Sequence, residues 1–171
     1  MIKSKLDIKS LYDAYGRRIY NLVYYHIQSH EEAEEIVQDV FLAAHQQREK
    51  FRGEAQWGTY LYRIAINKSI DRLRSKKRKN NWLKWVPWSD GVSKAIPAEE
   101  ETEDPHLHAL LQAIQQLPEQ QRTALVLMKI DQKSQKETAE IMGISPKAVE
   151  SLVQRAKEKL KNFIQRFEGL E

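Results

Sequence analysis

Apolar side chains in the first part of the chain recur three or four positions apart, the spacing of one face of an α-helix. This spacing predicts a first helix over Leu11–Ile27 and a second over Ala33–Ala44. Ser29 is the predicted N-cap of the second helix, because a run of carboxylates follows it in the first turn. A third helix is predicted from about Ala55 to Lys79. Its first half is apolar on most sides, so we expect it to be the central helix of a bundle.

The helical pattern stops after this third helix. Residues 80–105 hold three of the five prolines and a cluster of acidic side chains, and we interpret them as a flexible linker. Trp82, Trp85 and Trp88 are unusual in a linker. Packing against the first domain is the more ordinary role for isolated apolar side chains, and contact with a partner is the alternative.

A second helical segment begins after the linker. Its first apolar stripe consists of Leu107, Leu110, Leu111 and Ile114. Pro118 then restarts the chain before a further stripe. Strand patterns of comparable quality are absent from the sequence. We therefore predict an all-α protein with two small helical domains, residues 1–79 and 106–171, joined by the linker.

The end of the second segment has the pattern of a helix-turn-helix. Ser134 and Glu137 form a capping box that opens one helix, and Gly143 occupies the turn, where the chain needs a positive φ. Ser145 and Pro146 open the last helix. An ordinary αα-hairpin with a glycine turn has the same pattern. The polar face of the last helix suits base edges and phosphates, since it carries Lys147, Ser151, Gln154 and Glu158, with Arg155 and Lys157 beside them.

The second half of the third helix is another candidate surface for nucleic acid. One face carries four basic side chains: Lys68, Arg72, Lys76 and Lys79. Trp57, Tyr60 and Tyr62 lie just upstream. Aromatic rings stack on bases and cations pair with phosphates, a combination that suits a single strand. The alternative is a solvated helix tail next to an aromatic core.

Charge and composition exclude several classes of protein and favour others. The net charge is +4, and two mildly basic segments flank the acidic linker. A basic lobe suits nucleic acid or an acidic membrane surface, and an ordinary solvated surface is the alternative. Cysteine is absent, which excludes disulfides, thiolate metal sites and a cysteine nucleophile. Neither a bilayer-spanning apolar run nor an apolar leader is present, so we expect a cytoplasmic protein without membrane insertion.

Candidates for catalysis or metal binding are weak. His26 and His30 are four residues apart, a spacing that can hold zinc, but no third ligand is near them in sequence. We interpret them as a pair of surface histidines. The carboxylates at 31–35 and 99–104 suit a helix start and a solvated linker. We therefore predict no enzyme activity, no metal site and no cofactor.

Three blocks of sequence carry a stronger signal than any single motif. They are AEEIVQDVFLAAHQ at 33–46, FRGEAQWGTYLYRIAINKSIDRLRSKKRK at 51–79 and LPEQQRTALVLMKIDQKSQKETAEIMGISPKAVESLVQRAKEKLK at 117–161. In this order and at this spacing they resemble the extracytoplasmic-function (ECF) sigma factors of bacteria, within the sigma-70 family. The first resembles the helix that binds core RNA polymerase. The second resembles the segment that melts and reads the minus-ten promoter element, and the third the domain that reads the minus-thirty-five element.

The resemblance implies a promoter-specificity subunit of bacterial RNA polymerase, which binds the core enzyme and directs initiation at specific promoters. In the family, the second helix docks on the clamp of the polymerase's largest subunit. Carboxylates there would face basic clamp residues, and an aromatic ring would act as an anchor. The implied core contacts are Glu35, Gln38, Asp39 and Phe41.

The resemblance also implies two sets of DNA contacts. In the family, the loop before the third helix captures a flipped minus-ten base, and Asn67 matches a polar wall of that pocket. The implied minus-ten residues are Phe51, Arg52, Gly53, Glu54, Ala55, Gln56, Trp57, Tyr60, Asn67, Lys68, Arg72, Lys76 and Lys79. The implied minus-thirty-five residues are Ser145, Lys147, Ser151, Gln154, Arg155 and Lys157.

This chain departs from the family on the last helix. Many members carry Lys and then Ser-Arg where this chain has Glu150, Ser151 and Leu152, so two cations are missing at the major groove. The implied partners are core RNA polymerase, promoter DNA and an anti-sigma factor. The competing hypothesis is a stand-alone helix-turn-helix regulator, which normally dimerises on paired half-sites. That hypothesis gives no account of the aromatic and basic third helix.

Overall fold

The computed structural model describes residues 7–47, 54–83 and 105–168, and every regular element in these ranges is helical. The all-α prediction is therefore confirmed. The α-helices, in chain order, are α1 (Ile8–Ile27), α2 (His30–Gln47), α3 (Glu54–Leu83), α4 (Pro105–Gln116), α5 (Glu119–Leu125), α6 (Gln135–Met142) and α7 (Pro146–Glu168). A π-helical turn, Val126–Ile130, extends α5.

Helices α1, α2 and α3 pack on one another as the first lobe. Gln28 ends α1 in the left-handed conformation, with a φ of 52°, and its backbone N–H donates to the carbonyl of Tyr24. Ser29 then caps α2, since its Oγ accepts the backbone N–H of Glu32 at 3.3 Å. Leu61 and Ala65 of α3 are fully buried, which confirms α3 as the central helix of this lobe.

Helix α3 runs four residues further than the sequence pattern predicts. The helix continues through residues 80–83 because this stretch contains neither glycine nor proline to stop it. Pro105 likewise belongs to α4. Residues 84–104, which include Trp85 and Trp88, lie outside the described residues, as does the side chain of Trp82.

Helices α4 to α7 form the second lobe, which contains the predicted helix-turn-helix, α6 and α7. Both bonds of the capping box between Ser134 and Glu137 are present, and Gly143 ends α6 with a φ of 67°. Ser145 caps α7, since its Oγ accepts the N–H of Ala148 at 3.2 Å. Val149 of α7 is fully buried in the same apolar cluster as Ala139 of α6, so an apolar contact holds the two helices together.

The predicted apolar stripe of α4 is partly wrong. Leu107 and Leu110 are 41% and 36% exposed, while Ala109, Ala113 and Ile114 are buried. Helix α4 contacts α1 and α7, so the face that carries Ala109, Ala113 and Ile114 is the buried one.

The two lobes pack against each other. Val126, Leu127 and Ile141 from the second lobe lie in the same buried cluster as the core of the first. Burial of these apolar side chains is favourable, so the shared core fixes the position of one lobe against the other.

A buried arginine extends this contact. Arg122 of α5 donates from Nε to the carbonyl of Ile114 at 3.1 Å, and from Nη2 to the carbonyls of Gln115 and Leu117 at 2.6 and 3.0 Å. Its Nη1 donates to the carbonyl of His26, at the end of α1, at 3.2 Å. Arg122 is only 7% exposed, and burial lowers the pKa of its guanidinium, against the attraction of Glu119. One side chain thus ties the end of α4 to the end of α1.

His26 lies in the same contact and is completely buried, so its interpretation as a surface histidine is wrong. Its Nε2 is 3.3 Å from the hydroxyl of Thr123. Burial, together with the charge of Arg122, lowers the pKa of His26 to about 3. The imidazole is therefore neutral at physiological pH. We call the contact formed by His26, Arg122 and Thr123 the junction.

The π-helical turn positions a second polar contact between the lobes. The N–H of Asp131 donates to the carbonyl of Val126 at 3.0 Å, which closes the wide turn. Asp131 then accepts a hydrogen bond from the hydroxyl of Tyr62 and lies 4.0 Å from Arg18. Burial, and next the hydrogen bond and charge of Asp131, raise the pKa of Tyr62.

Candidate functional site

Helix α2 presents an acidic, exposed face. Glu35, Gln38 and Asp39 are all on the surface, as a docking role requires. Phe41 is 5% exposed and packs edge-to-face on Tyr12, with the ring centroids 5.0 Å apart. This corrects the expectation that Phe41 offers its ring to a partner. The neighbouring Leu42 is the apolar side chain exposed here, at 57%.

Helix α3 packs with its basic residues against these carboxylates. Lys68 Nζ lies 3.2 Å from Asp39, and Arg72 lies 3.1 Å from Glu35. Arg72 also reaches Glu32 at 3.3 Å, and Lys76 pairs with the same Glu32. We call these six side chains the ladder: Glu32, Glu35, Asp39, Lys68, Arg72 and Lys76.

The ladder brings together residues that the sequence assigned to two different partners. Partial burial disfavours the charge of Arg72, but hydrogen bonds and charge attraction from Glu35 and Glu32 outweigh it and raise the pKa of Arg72. Three carboxylates face three cations, so their formal charges cancel locally. The predicted phosphate-binding face thus carries its own counter-ions.

The remaining minus-ten residues are dispersed. Trp57 is 4% exposed in the core of the first lobe, which corrects its expected place beside a DNA strand. Tyr60 is half-buried, with its ring edge-to-face against Trp57 at 5.8 Å. Lys79 is exposed. Residues 51–53 lie outside the described residues, as do the side chains of residues 54–56.

Asn67 is exposed and faces the second lobe. With Arg63 it lines a cleft of about 240 Å³, whose other wall includes Met142 and Ile144. Arg63 crosses toward that wall, since its Nη2 donates to the carbonyl of Glu140 at 2.6 Å. The polar residue expected to read a base therefore lies at the edge of the contact between the lobes.

The polar face of α7 is open. All six predicted minus-thirty-five residues are exposed: Ser145, Lys147, Ser151, Gln154, Arg155 and Lys157. Gln154 donates to Glu158 at 3.1 Å, one turn along the helix. Leu152 is half-buried against the core of the second lobe, as its spacing predicts. A hydrogen bond fixes the start of α7 against α6, because the side chain of Gln135 of α6 donates to the carbonyl of Pro146 at 2.6 Å.

Sequence reasoning missed the junction and the role of Glu32. A lone cation in the apolar stretch around Arg122 was a signal, since an unpaired arginine in a buried stripe needs carbonyl partners. His26 gave a similar signal on the apolar face of α1. Glu32 lies three residues before Glu35 and seven before Asp39, on the same face of α2. The sequence spacing could therefore have predicted that Glu32 belongs to this acidic face.

The described part of the chain carries neither a membrane-spanning helix nor a metal-binding cluster. No described helix is long and apolar enough to cross a bilayer. Within the same ranges, histidine, aspartate and glutamate side chains do not gather in groups of three or more that suit a metal ion.

Comparison with known proteins identifies the family of this chain. Residues 11–79 match sigma-70 region 2, and residues 107–160 match sigma-70, region 4. The ECF RNA polymerase sigma factor SigW of Bacillus subtilis is 31% identical over 157 residues, which covers 87% of this chain and 84% of that protein. This chain belongs to the ECF sigma factors. The RNA polymerase sigma-H factor of Pseudomonas aeruginosa is 30% identical over 165 residues, or 88% of this sigma factor and 82% of the relative.

Solved structures share the fold of this sigma factor. The sigma factor RpoE of Bartonella quintana, in complex with the anti-sigma factor NepR, superposes with a TM-score of 0.71 at 21% identity, over 93% of this chain and 97% of that one. CnrH, in complex with the cytosolic domain of CnrY, gives a TM-score of 0.67 at 24% identity, over 93% and 88% of the chains. The packing of all-helical lobes is therefore a shared architecture.

Proposed function

We propose that this sigma factor is a promoter-specificity subunit of RNA polymerase, which binds the core enzyme and directs initiation at specific promoters. The supporting observation is that one chain combines the region 2 and region 4 sequences with an exposed helix-turn-helix face on α7. We propose that it has no catalytic role of its own and acts in the cytoplasm, where the polymerase works.

The test of this function separates it from a stand-alone regulator. Purified chain is mixed with core polymerase or with promoter duplex, and each mixture is analysed by gel filtration. We expect co-elution with core, and weak duplex binding by the isolated chain, because a net charge of +4 gives little non-specific attraction to DNA. Tight duplex binding by a dimer, without core binding, would overturn the proposal.

We propose that α2 docks on the core enzyme through Glu35, Gln38 and Asp39. These side chains are exposed, so replacing them removes contacts without opening a cavity. The double variant Gln38→Ala/Asp39→Ala should lose core binding in co-precipitation. Glu34→Ala is the control, since it also removes one exposed carboxylate from α2. Equal retention of core by both variants would show that docking uses another surface.

We propose that the loop Phe51–Gln56 and Asn67 set minus-ten preference. The exposure of Asn67 supports this role. Exchange of the loop for that of another ECF sigma factor should change the preferred minus-ten base and leave the minus-thirty-five preference as it was. Selection from a promoter library with each holoenzyme measures both preferences, and an unchanged minus-ten preference would exclude the assignment.

We propose that α7 reads the minus-thirty-five element. Gln154→Ala should relax the preference at one position by about 1–3 kcal/mol if its contact is bidentate to an adenine. Lys157→Ala should weaken binding to all sequences alike and lower the salt dependence, as loss of a phosphate contact does. A minus-thirty-five library distinguishes the two. Equal losses on every sequence for Gln154→Ala would place its side chain away from the bases.

We further propose that an anti-sigma factor holds this protein inactive. The supporting observation is that RpoE and CnrH, whose folds it shares, were each solved with such a partner or with a partner's cytosolic domain. An anti-sigma factor should compete with core polymerase for the chain in a binding assay. Simultaneous binding of both at full affinity would contradict this.

A further inference from the structure

The two faces of the ladder match each other turn by turn. The carboxylates of α2 lie at steps of three and four residues, and the cations of α3 lie at steps of four. Asp39 pairs with Lys68 at one end, and Glu32 pairs with Lys76 at the other. Arg72 in the middle touches two carboxylates at once. The alignment of the two helices therefore places every ladder carboxylate of α2 next to a ladder cation of α3.

Each face is masked by the other when the chain is free. A phosphate that approaches Arg72 meets the carboxylates of Glu32 and Glu35 beside it, and these repel it. A cationic partner that approaches Asp39 meets the ammonium of Lys68 at 3.2 Å from that carboxylate. Binding on either face requires that the ladder be shared or broken.

We infer that core docking on α2 and phosphate binding on α3 are coupled through the ladder, with Glu32 holding Arg72 and Lys76 while neither partner is bound. This inference rests on the proposed function. A basic polymerase surface that takes over Glu35 and Asp39 releases Arg72 and Lys68 for DNA. Linkage requires the reverse as well, so DNA bound on α3 strengthens docking on α2 by the same factor.

The coupling is modest and sensitive to salt. The side chains of Lys68, Asp39 and Lys76 are between 36% and 48% exposed, so water screens these pairs. Exposed ion pairs of this kind change a binding constant by a factor of about two to five each. Glu32 is the least exposed carboxylate of the three, at 21%, and it contacts two cations, so it has the largest effect among them.

The first experiment measures affinity for core polymerase when a ladder cation is removed. Arg72→Gln and Lys68→Gln should each bind core about two- to fivefold more tightly than Lys77→Gln. All three variants remove one positive charge from the same helix. Lys77 is exposed and has no ion pair with any residue that the structure describes. The coupling therefore predicts that Arg72 and Lys68 weaken binding to core polymerase in the wild type. A purely structural role for these two side chains does not predict that their removal strengthens core binding.

The second experiment needs no polymerase. A single-stranded oligonucleotide is titrated with Glu32→Gln and with the control Glu34→Gln, which removes an exposed carboxylate outside the ladder. Glu32→Gln should bind about two- to fivefold more tightly at low salt, and the difference should shrink as salt is raised. Circular dichroism melts confirm that every variant is folded.

The outcomes separate the inference from the function on which it rests. Failure of the wild-type chain to bind core would overturn the proposed function. If the wild type binds core, the coupling is overturned when Arg72→Gln and Lys68→Gln dock no more tightly than Lys77→Gln. It is equally overturned when Glu32→Gln and Glu34→Gln bind the oligonucleotide with the same affinity.

Discussion

The ladder and the junction use charge in opposite ways. The ladder is on the surface, and each of its cations faces a carboxylate. The junction is buried, and the cation of Arg122 donates to carbonyl oxygens while the imidazole of His26 remains neutral. Exposed charges have solvent as an alternative partner, whereas buried ones have none.

This difference indicates what each contact can do. A surface pair costs little to break, so a partner that brings its own charges can take it over. A buried cation is expensive to leave without its acceptors, so it fixes the geometry around it. The ladder is therefore suited to exchange during binding, and the junction to positioning α1 against α5. Four measurements test this contrast.

Removal of Arg122 should have the largest effect on stability. Arg122→Met removes the guanidinium that donates to the buried carbonyls of Leu117 and His26, and we expect a loss of about 3–5 kcal/mol in the free energy of unfolding. Arg74→Met is the matched control, because Arg74 also reaches the other lobe but is 62% exposed and pairs with Glu119 at 3.1 Å. Its loss should stay below about 1 kcal/mol. Urea denaturation measures both, and similar losses would remove the contrast.

Acidification should act on the junction through His26. Its folded pKa of about 3 lies below the ordinary 6.5, so the unfolded chain binds the proton first. The stability contributed by the neutral imidazole is therefore present above pH 6.5 and is lost as the pH falls toward 3. This one group should remove about 1.4 kcal/mol per pH unit within that window.

The histidine contribution is isolated by comparing slopes. Unfolding free energies of wild type and His26→Gln are measured between pH 7 and pH 4. His26→Gln should flatten the dependence, because it removes the buried imidazole. A wild-type slope in His26→Gln would mean that other groups cause the acid sensitivity.

Tyr62 tests the second polar contact between the lobes. Tyr62→Phe keeps the buried ring and removes only the hydroxyl that donates to Asp131. A hydrogen bond to a charged acceptor is worth about 1.5–3 kcal/mol, so we expect a loss of that size in thermal or urea unfolding. Tyr12→Phe, at a ring that is 54% exposed, should change stability by less than about 0.5 kcal/mol. If the two substitutions have equal effects, the Tyr62 contact contributes nothing.

The ladder should give the smallest effect, and the only one that salt removes. Glu32→Gln should lower stability by at most about 1 kcal/mol at low ionic strength and by almost nothing in 1 M NaCl. Arg122→Met should keep its deficit in the same salt, because its partners are neutral carbonyls. A ladder deficit that persists in 1 M NaCl would place these charges in a less solvated setting than their exposure indicates.

Local signals in the sequence predicted the helices and their ends well. Ser29, the Ser134–Glu137 capping box and Gly143 act within one helical turn, so their physics is visible in neighbouring residues. The exposed face of α7 followed in the same way from its spacing. Bounds were less certain where no glycine or proline stops a helix, as at the end of α3.

Contacts between distant residues were beyond the sequence pattern. Arg122 and His26 are 96 residues apart, and only the packing of the lobes brings them together. The sequence predicted the acidic face of α2 and the basic face of α3 separately. The pairing of the two faces depends on how α2 and α3 align in the folded lobe, which the sequence pattern does not show. Phe41 and Trp57 were placed on surfaces by resemblance, whereas the packing of the first lobe buries both.

The π-helical turn at Val126–Ile130 has a consequence for the length of the chain at this point. A π-turn holds one residue more than an α-turn, and each residue of an α-helix advances by about 100°. Deletion of one residue there would produce a regular helix, but it would also swing Asp131 away from Tyr62. We expect insertions and deletions among natural relatives to avoid this turn, because its extra residue determines the direction in which Asp131 and the residues after it point.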